Sequence, residues 1–238
     1  MTSFVLKIIA IAAMLIDHVG YVFDYDLPPD VYWACRAVGR VAFPLFAFLL
    51  AEGFFYTRDP RKYLLRLAIF AVVSELPFDL MTAGEPLDWG YQSVYVTLTL
   101  ALFGLYLFDS FAAGNNKVAA LLTLVSVGIA AQIFHADYGA VGVLMVFVFY
   151  FFRGKRAQLA AMFAVTVLLF MMQHYFEAHM EWGKPVWVTL FELGALVPIL
   201  LYNRRKGYAK RWIQWGFYAF YPAHMLILLG VSMLIFGV

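Results

Sequence analysis

The polar side chains that could do chemistry in this chain are few, and the first of them is the adjacent pair Asp17 and His18. They follow about a dozen apolar residues, which at 1.5 Å per residue puts them roughly 20 Å into a first helix. Ionisable groups at that depth in hydrocarbon are costly and face a cavity or a partner, so they mark a functional path. Histidine is the usual general base, because its ordinary pKa of about 6.5 lies near working pH. Neighbouring residues on a helix point about 100° apart, so the group that orients the His18 imidazole is expected to be a carboxylate from another helix rather than Asp17. The plainer alternative is a polar helix end, since Gly20 and Asp24 follow closely.

Further polar residues recur at similar depths. Arg40, in the sequence GRVAFP, suits either an anionic group near His18 or snorkelling toward headgroups. Glu52 lies near the inner end of the same run, and Glu75 and Asp79 flank Pro77 at the outer end of the next. Gln132, His135, Asp137 and Tyr138 form another outer cluster, read as site residues or as turn residues. Glu192 and His224 fall near the middle of their runs and need partners there. His174, Glu177, His179 and Glu181 offer nitrogen and oxygen donors, but without an HExxH pattern no metal is expected. No nucleophile elbow, phosphate loop or dinucleotide fingerprint competes with a histidine-centred chemistry.

The elements that position these groups follow from composition. Of 238 residues, 64% are hydrophobic and 13% charged, against roughly 25% charged in soluble domains. That leaves no room for a soluble catalytic domain. Apolar runs bounded by charge, Pro and Gly predict about nine spans (eight to ten), near 4–23, 37–57, 62–81, 91–109, 117–135, 138–152, 157–175, 185–202 and 215–236. The fold class is an all-α polytopic membrane bundle, read as one domain over 1–238 without internal repeats. Arg58, Arg61, Lys62 and Arg66, then Arg153, Lys155 and Arg156, then Arg204, Arg205, Lys206, Lys210 and Arg211 cluster in alternate connections, predicting the N-terminus inside. The first run is expected to stay uncleaved. A net charge of +2 argues against nucleic-acid partners, and the single Cys35 excludes an internal disulfide.

The order of motifs resembles the TraX family, named for a membrane protein that acetylates conjugative pilin. The resemblance runs through LKIIAIAAMLIDHVG at 6–20, GRVAFP at 39–44, LAEGF at 50–54, YLLRL at 63–67, SELPFD at 74–79, DYG at 137–139 and YPAH at 221–224. It implies a compact relative of the acyltransferase 3 and heparan glucosaminide acetyltransferase types, in the bacterial inner membrane, with His18 as base and acetyl-CoA as co-substrate entering from the cytoplasm. Arg58, Arg61, Lys62, Arg66 or the later basic loops would then receive the CoA phosphates. Glu75 or Asp79 would orient His18, and Arg40 or His224 would stabilise the oxyanion. The acceptor, an amine or hydroxyl on a pilin-like peptide, a sugar or a lipid, is left open. A proton-coupled transporter or channel is the alternative that the same buried groups support, and a non-catalytic scaffold is a third.

Overall fold

The computed structural model describes residues 1–178, 186–208 and 210–236, in which helices are joined by turns and short irregular connections and the β-structure among the described residues is an isolated parallel bridge between Gln92 and Ala136. The chain forms two compact units. One joins Met1–Leu49 to Gly154–Val238, and the other is the intervening Leu50–Arg153.

The first unit contains α1 (Ser3–Val22), α2 (Pro29–Gly39), the opening of α3 (Ala42–Tyr56), α8 (Arg156–Ala178), a 3-10 helix (Val186–Ala195), α9 (Leu196–Leu200) and α10 (Arg211–Phe236). α1 packs on α2 and α10, and the 3-10 helix packs on α2 and α8. The Thr2 hydroxyl caps α1 by accepting from the Val5 amide. The first turn is fastened by main-chain bonds, with the amides of Ser3 and Phe4 donating to the carbonyls of Arg205 and Lys206 at 2.9 and 3.2 Å.

Residues 24–36 were expected to be an acidic outer connection, yet Pro29–Gly39 is helical. Pro28 and Pro29 supply the preset φ that suits a helix start, and the Trp33 to Gly39 stretch continues it. The helix breaks at Arg40 and Val41 because Pro44, three residues on, has no amide to donate and its ring would collide with the Arg40 carbonyl in a continuous helix. Small residues let α2 approach α1 closely. A Cβ on Gly20 would come 2.6 Å from the Cys35 Cβ, and one on Gly39 would overlap the Asp17 carboxylate.

The second unit holds the end of α3, α4 (Pro60–Thr82), α5 (Val94–Ala113), α6 (Lys117–Ile133) and α7 (Gly139–Phe151). α5 is its centre, packing on α4, α6 and α7. Gly104 makes this possible, since a Cβ there would meet Val127 at 2.7 Å and Phe147 at 3.3 Å. Leu102, Leu105, Phe147 and Phe149 form its fully buried core. The Asp59 side chain caps α4 by accepting from the Lys62 amide at 3.0 Å, and that bond, with the nearby ammonium, holds its carboxyl below the usual carboxylate range.

Each predicted run falls on a helical element. Five segments are long and apolar enough to cross a membrane: Ser3–Val22, Pro29–Tyr56, Val94–Ala113, Arg156–Gln173 and Trp212–Phe236. Lys117–Ile133, Gly139–Phe151 and Trp187–Leu200 are apolar but shorter. α4 is long enough, but Arg61, Lys62, Arg66, Glu75 and Asp79 make it too polar to count by composition.

The Gly20 contact gives a direct test. Gly20→Ala is expected to cost about 1–3 kcal/mol by overpacking, read as a lower thermal midpoint in detergent. Cys35→Gly in the same chain should recover most of that loss, because it removes the atom in the way, whereas Cys35→Ser should recover none.

Candidate functional site

His18 and His224, 206 residues apart in sequence, meet within the first unit: His18 Nδ1 lies 2.6 Å from His224 Nε2. The ring planes are within 3° of parallel, with centroids 4.8 Å apart. His224 is buried, and its Nδ1 lies 2.7 Å from the carbonyl oxygen of Phe220, one turn earlier on α10. The Phe220 ring stacks on His224 at 4.9 Å, and Tyr221 stands edge-on to both imidazoles at 6.1 and 5.8 Å. His18 is half-buried, and among the described residues its Nε2 makes no hydrogen bond.

Helical periodicity explains why α1 and α10 meet where they do. Lys7 and His18 are eleven residues apart and so share a face of α1, and Phe217 and His224, seven apart, share a face of α10. Both pairs touch across the seam: the Lys7 ammonium lies 5.1 Å from the centroid of the Phe217 ring, and His18 bonds His224. The two helices therefore run in the same direction. At the Lys7 end a small pocket is lined by Ser3, Lys7, Lys206, Tyr208 and Gln214 among others, and no carboxylate is among them.

Asp17, one residue from His18, turns toward α2 and accepts a hydrogen bond from Arg36 Nη1 at 2.8 Å. The two side chains are 16% and 19% exposed. Arg36 also lies 5.7 Å from the centroid of the Tyr21 ring. Arg36 and Arg40 both act electrostatically on Asp17 and on His18, so the imidazole pair sits beside two guanidinium groups and one carboxylate. Glu192 is fully buried on the 3-10 helix that packs on α2.

The sequence pointed to Glu75 or Asp79 as the group orienting His18; the side chain bonded to it is a second imidazole. The two carboxylates are engaged within the second unit. Glu75 accepts from the Ser93 hydroxyl at 2.6 Å and from its amide at 3.3 Å, and Asp79 accepts from the Asp88 amide at 3.1 Å. Asp137 accepts from the Tyr91 hydroxyl at 2.6 Å, and its carbonyl accepts from Thr97. With the Gln92 amide donating to the His135 carbonyl, these bonds tie segment 88–93 to the α6–α7 turn. The His135 side chain is exposed in that turn.

Glu52 is buried against Arg153, Oε1 to Nε at 2.5 Å, with Arg153 also stacked over Phe55 at 4.5 Å. Among the residues expected to receive phosphates, Arg58 is exposed, Arg61 donates to the Tyr106 hydroxyl at 2.9 Å, Lys62 pairs with Asp59 at 3.1 Å, and Arg66 lies 5.9 Å from the Tyr63 ring. All four belong to the second unit, whereas both imidazoles belong to the first. His179, Glu181 and the side chains of His174 and Glu177 lie outside the described residues. Among the described ones, no group of three or more His, Cys, Asp or Glu is arranged to hold a metal. Arg36 and Lys7 are what the sequence reading missed, whereas Lys206 belongs to the later basic loops it named, and the signal for Arg36 was available: a carboxylate inside a span demands a cation.

A helical integral membrane protein with an imidazole pair beside an Asp–Arg pair is thus the class that fold and site define. The family model described as TraX protein matches residues 3–232, and the chain belongs to that family. A relative from Dichelobacter nodosus, named "Probable fimbrial assembly protein FimC, serogroup H1", is 31% identical over 244 residues, covering 98% of this chain and 96% of the relative. No solved structure matches.

Removing one member of a mostly buried ion pair leaves the other uncompensated, so Arg36→Ala is expected to cost about 3 kcal/mol of stability. The double variant Arg36→Ala with Asp17→Asn should recover a large part of it. Equal thermal midpoints for the wild type and Arg36→Ala would show that the pair does not matter.

Proposed function

We propose that this chain is an acetyl-CoA-dependent acetyltransferase of the bacterial cytoplasmic membrane, with about nine spans, its N-terminus inside, and His18 as general base. The observation that carries this reading is the His18–His224 pair: an oriented imidazole with one open nitrogen inside an apolar helix bundle is suited to take a proton from an attacking amine or hydroxyl. Membership of the TraX family supports the acetyl chemistry, and the fimbrial relative favours an acceptor on a pilus subunit over a sugar or lipid.

In the reaction, the acceptor nitrogen or oxygen attacks the thioester carbonyl as His18 removes its proton. The carbonyl carbon gains a bond to the acceptor, the bond to sulfur breaks, and the His18 imidazolium returns the proton to the departing thiolate. Arg36 and Arg40, which act electrostatically on the imidazole, are suited to offset negative charge on the carbonyl oxygen. The CoA phosphates would meet the ammonium groups of Lys7 and Lys206 at the mouth of this water-sized pocket, because it is lined by the same two helices as the imidazole pair and by no carboxylate. Lys7 and His18 are separated by about 16 Å along α1, a span for the pantetheine arm to cover.

Three measurements check this. Purified His18→Ala should lose transfer of labelled acetyl from acetyl-CoA while still inserting and folding, and a wild-type rate would remove His18 as the base. CoA at about one hundred times its Kd should stabilise the protein by roughly 2.7 kcal/mol through mass action, which a proton-coupled transporter would not show. Lys7→Ala and Lys206→Ala should each raise the KM for acetyl-CoA with a smaller effect on kcat, and Arg61→Ala should not.

A further inference from the structure

We infer that His224 is a positioning residue that fixes the tautomer of His18, so that Nε2 of His18, and not Nδ1, is the nitrogen that takes the substrate proton. The inference rests on the reading of His18 as the base and adds which atom acts and what holds it.

The argument is one of donors and acceptors. A carbonyl oxygen can only accept, so the 2.7 Å contact between His224 Nδ1 and the Phe220 oxygen requires a proton on Nδ1. A neutral imidazole carries one N–H, so His224 Nε2 is then an acceptor. The 2.6 Å contact to His18 Nδ1 needs a proton between the two nitrogens, and it must come from His18. His18 is thereby held as the Nδ1–H form, with the Nε2 lone pair pointing away from His224, on the nitrogen that makes no bond among the described residues. The tautomer of a histidine is set by the bond its other nitrogen makes. Here a main-chain carbonyl sets it at one remove, through a second ring.

The surroundings keep that ring in place. Phe220 stacks on His224 at 4.9 Å with planes 9° apart, Tyr221 lies edge-on to both rings, and the accepting carbonyl belongs to the α10 backbone and cannot rotate away. When His18 gains a proton at Nε2, its Nδ1–H bond to His224 becomes charge-assisted and strengthens. No second proton has to move, and the charge leaves when the thiolate takes the proton from Nε2. A carboxylate does the same for the histidine of a serine-protease triad; a neutral imidazole does it here without adding a further charge beside Asp17, Arg36 and Arg40.

The test uses the full chain, labelled with 15N-histidine and reconstituted in lipid nanodiscs, with tautomers read from 15N–1H spectra and assigned by loss of signals in His18→Ala and His224→Ala. Both rings are expected in the Nδ1–H form. In His224→Phe, which keeps a ring of similar shape, His18 should lose that preference, and kcat should fall about 100-fold or more, within the range of general-base effects. In His224→Gln the amide oxygen can accept from Nδ1, so the tautomer should return and at least tenfold of the lost rate with it. A wild-type His18 protonated on Nε2, a His224→Phe protein with unchanged tautomer and rate, or a Gln variant no better than Phe would each overturn the inference. The spectra report the proton arrangement alone, while the His18→Ala transfer assay reports whether His18 is the base, so the two failures are distinguishable.

Discussion

A polar side chain placed in hydrocarbon has no water to turn to, and the partner it finds instead fixes which helices lie together. In the first unit this constraint acts at two adjacent residues of α1. His18 reaches α10 through His224, and Asp17 reaches α2 through Arg36. Because neighbours on a helix diverge by about 100°, one short stretch of α1 is held to two different helices. Gly39 follows from the same requirement: the guanidinium can meet the carboxylate only if the α2 backbone comes where a Cβ would already overlap Asp17.

The nature of the partners matters as much as their presence. Each buried ion carries a desolvation cost of several kcal/mol, which a single well-made pair offsets but which accumulates with every added charge. A carboxylate on His18 would have added one. A second imidazole bonded to a backbone carbonyl gives the same orientation with both rings neutral. The second unit uses mixed means for its own polar groups. Glu75 and Asp137 are satisfied by the hydroxyls of Ser93 and Tyr91, while Glu52 takes the cationic Arg153.

Much of this was legible from residue types. Apolar run length found the helices, because length and hydropathy are local properties of the chain. His18 and His224 were each conspicuous for the same reason, as single polar groups in apolar surroundings. Their meeting was not legible, since nothing local couples residues 206 apart. Glu75 and Asp79 resembled partners for His18 because they too are acids in an apolar stretch, but Ser93 and the Asp88 amide, close in sequence, had prior claim on them. Arg36 was overlooked because the run from Asp24 to Arg36 reads as a charged connection. Its helix depends on the Pro28–Pro29 start and on packing against α1, and the second of these is tertiary.

The sequence order of the units has a consequence for biogenesis. The first unit is made of segments on either side of the second, and α1 is complete long before α10 exists. At about 5–20 residues per second, a ribosome takes on the order of ten to forty seconds to travel from His18 to His224. During that interval Ser3 and Phe4 lack the carbonyls of residues 205 and 206, and the His18 imidazole has neither its hydrogen-bond partner nor a defined tautomer. A polypeptide still being synthesised therefore lacks the imidazole pair altogether, and the pair forms in one step with the arrival of α10 rather than accumulating helix by helix.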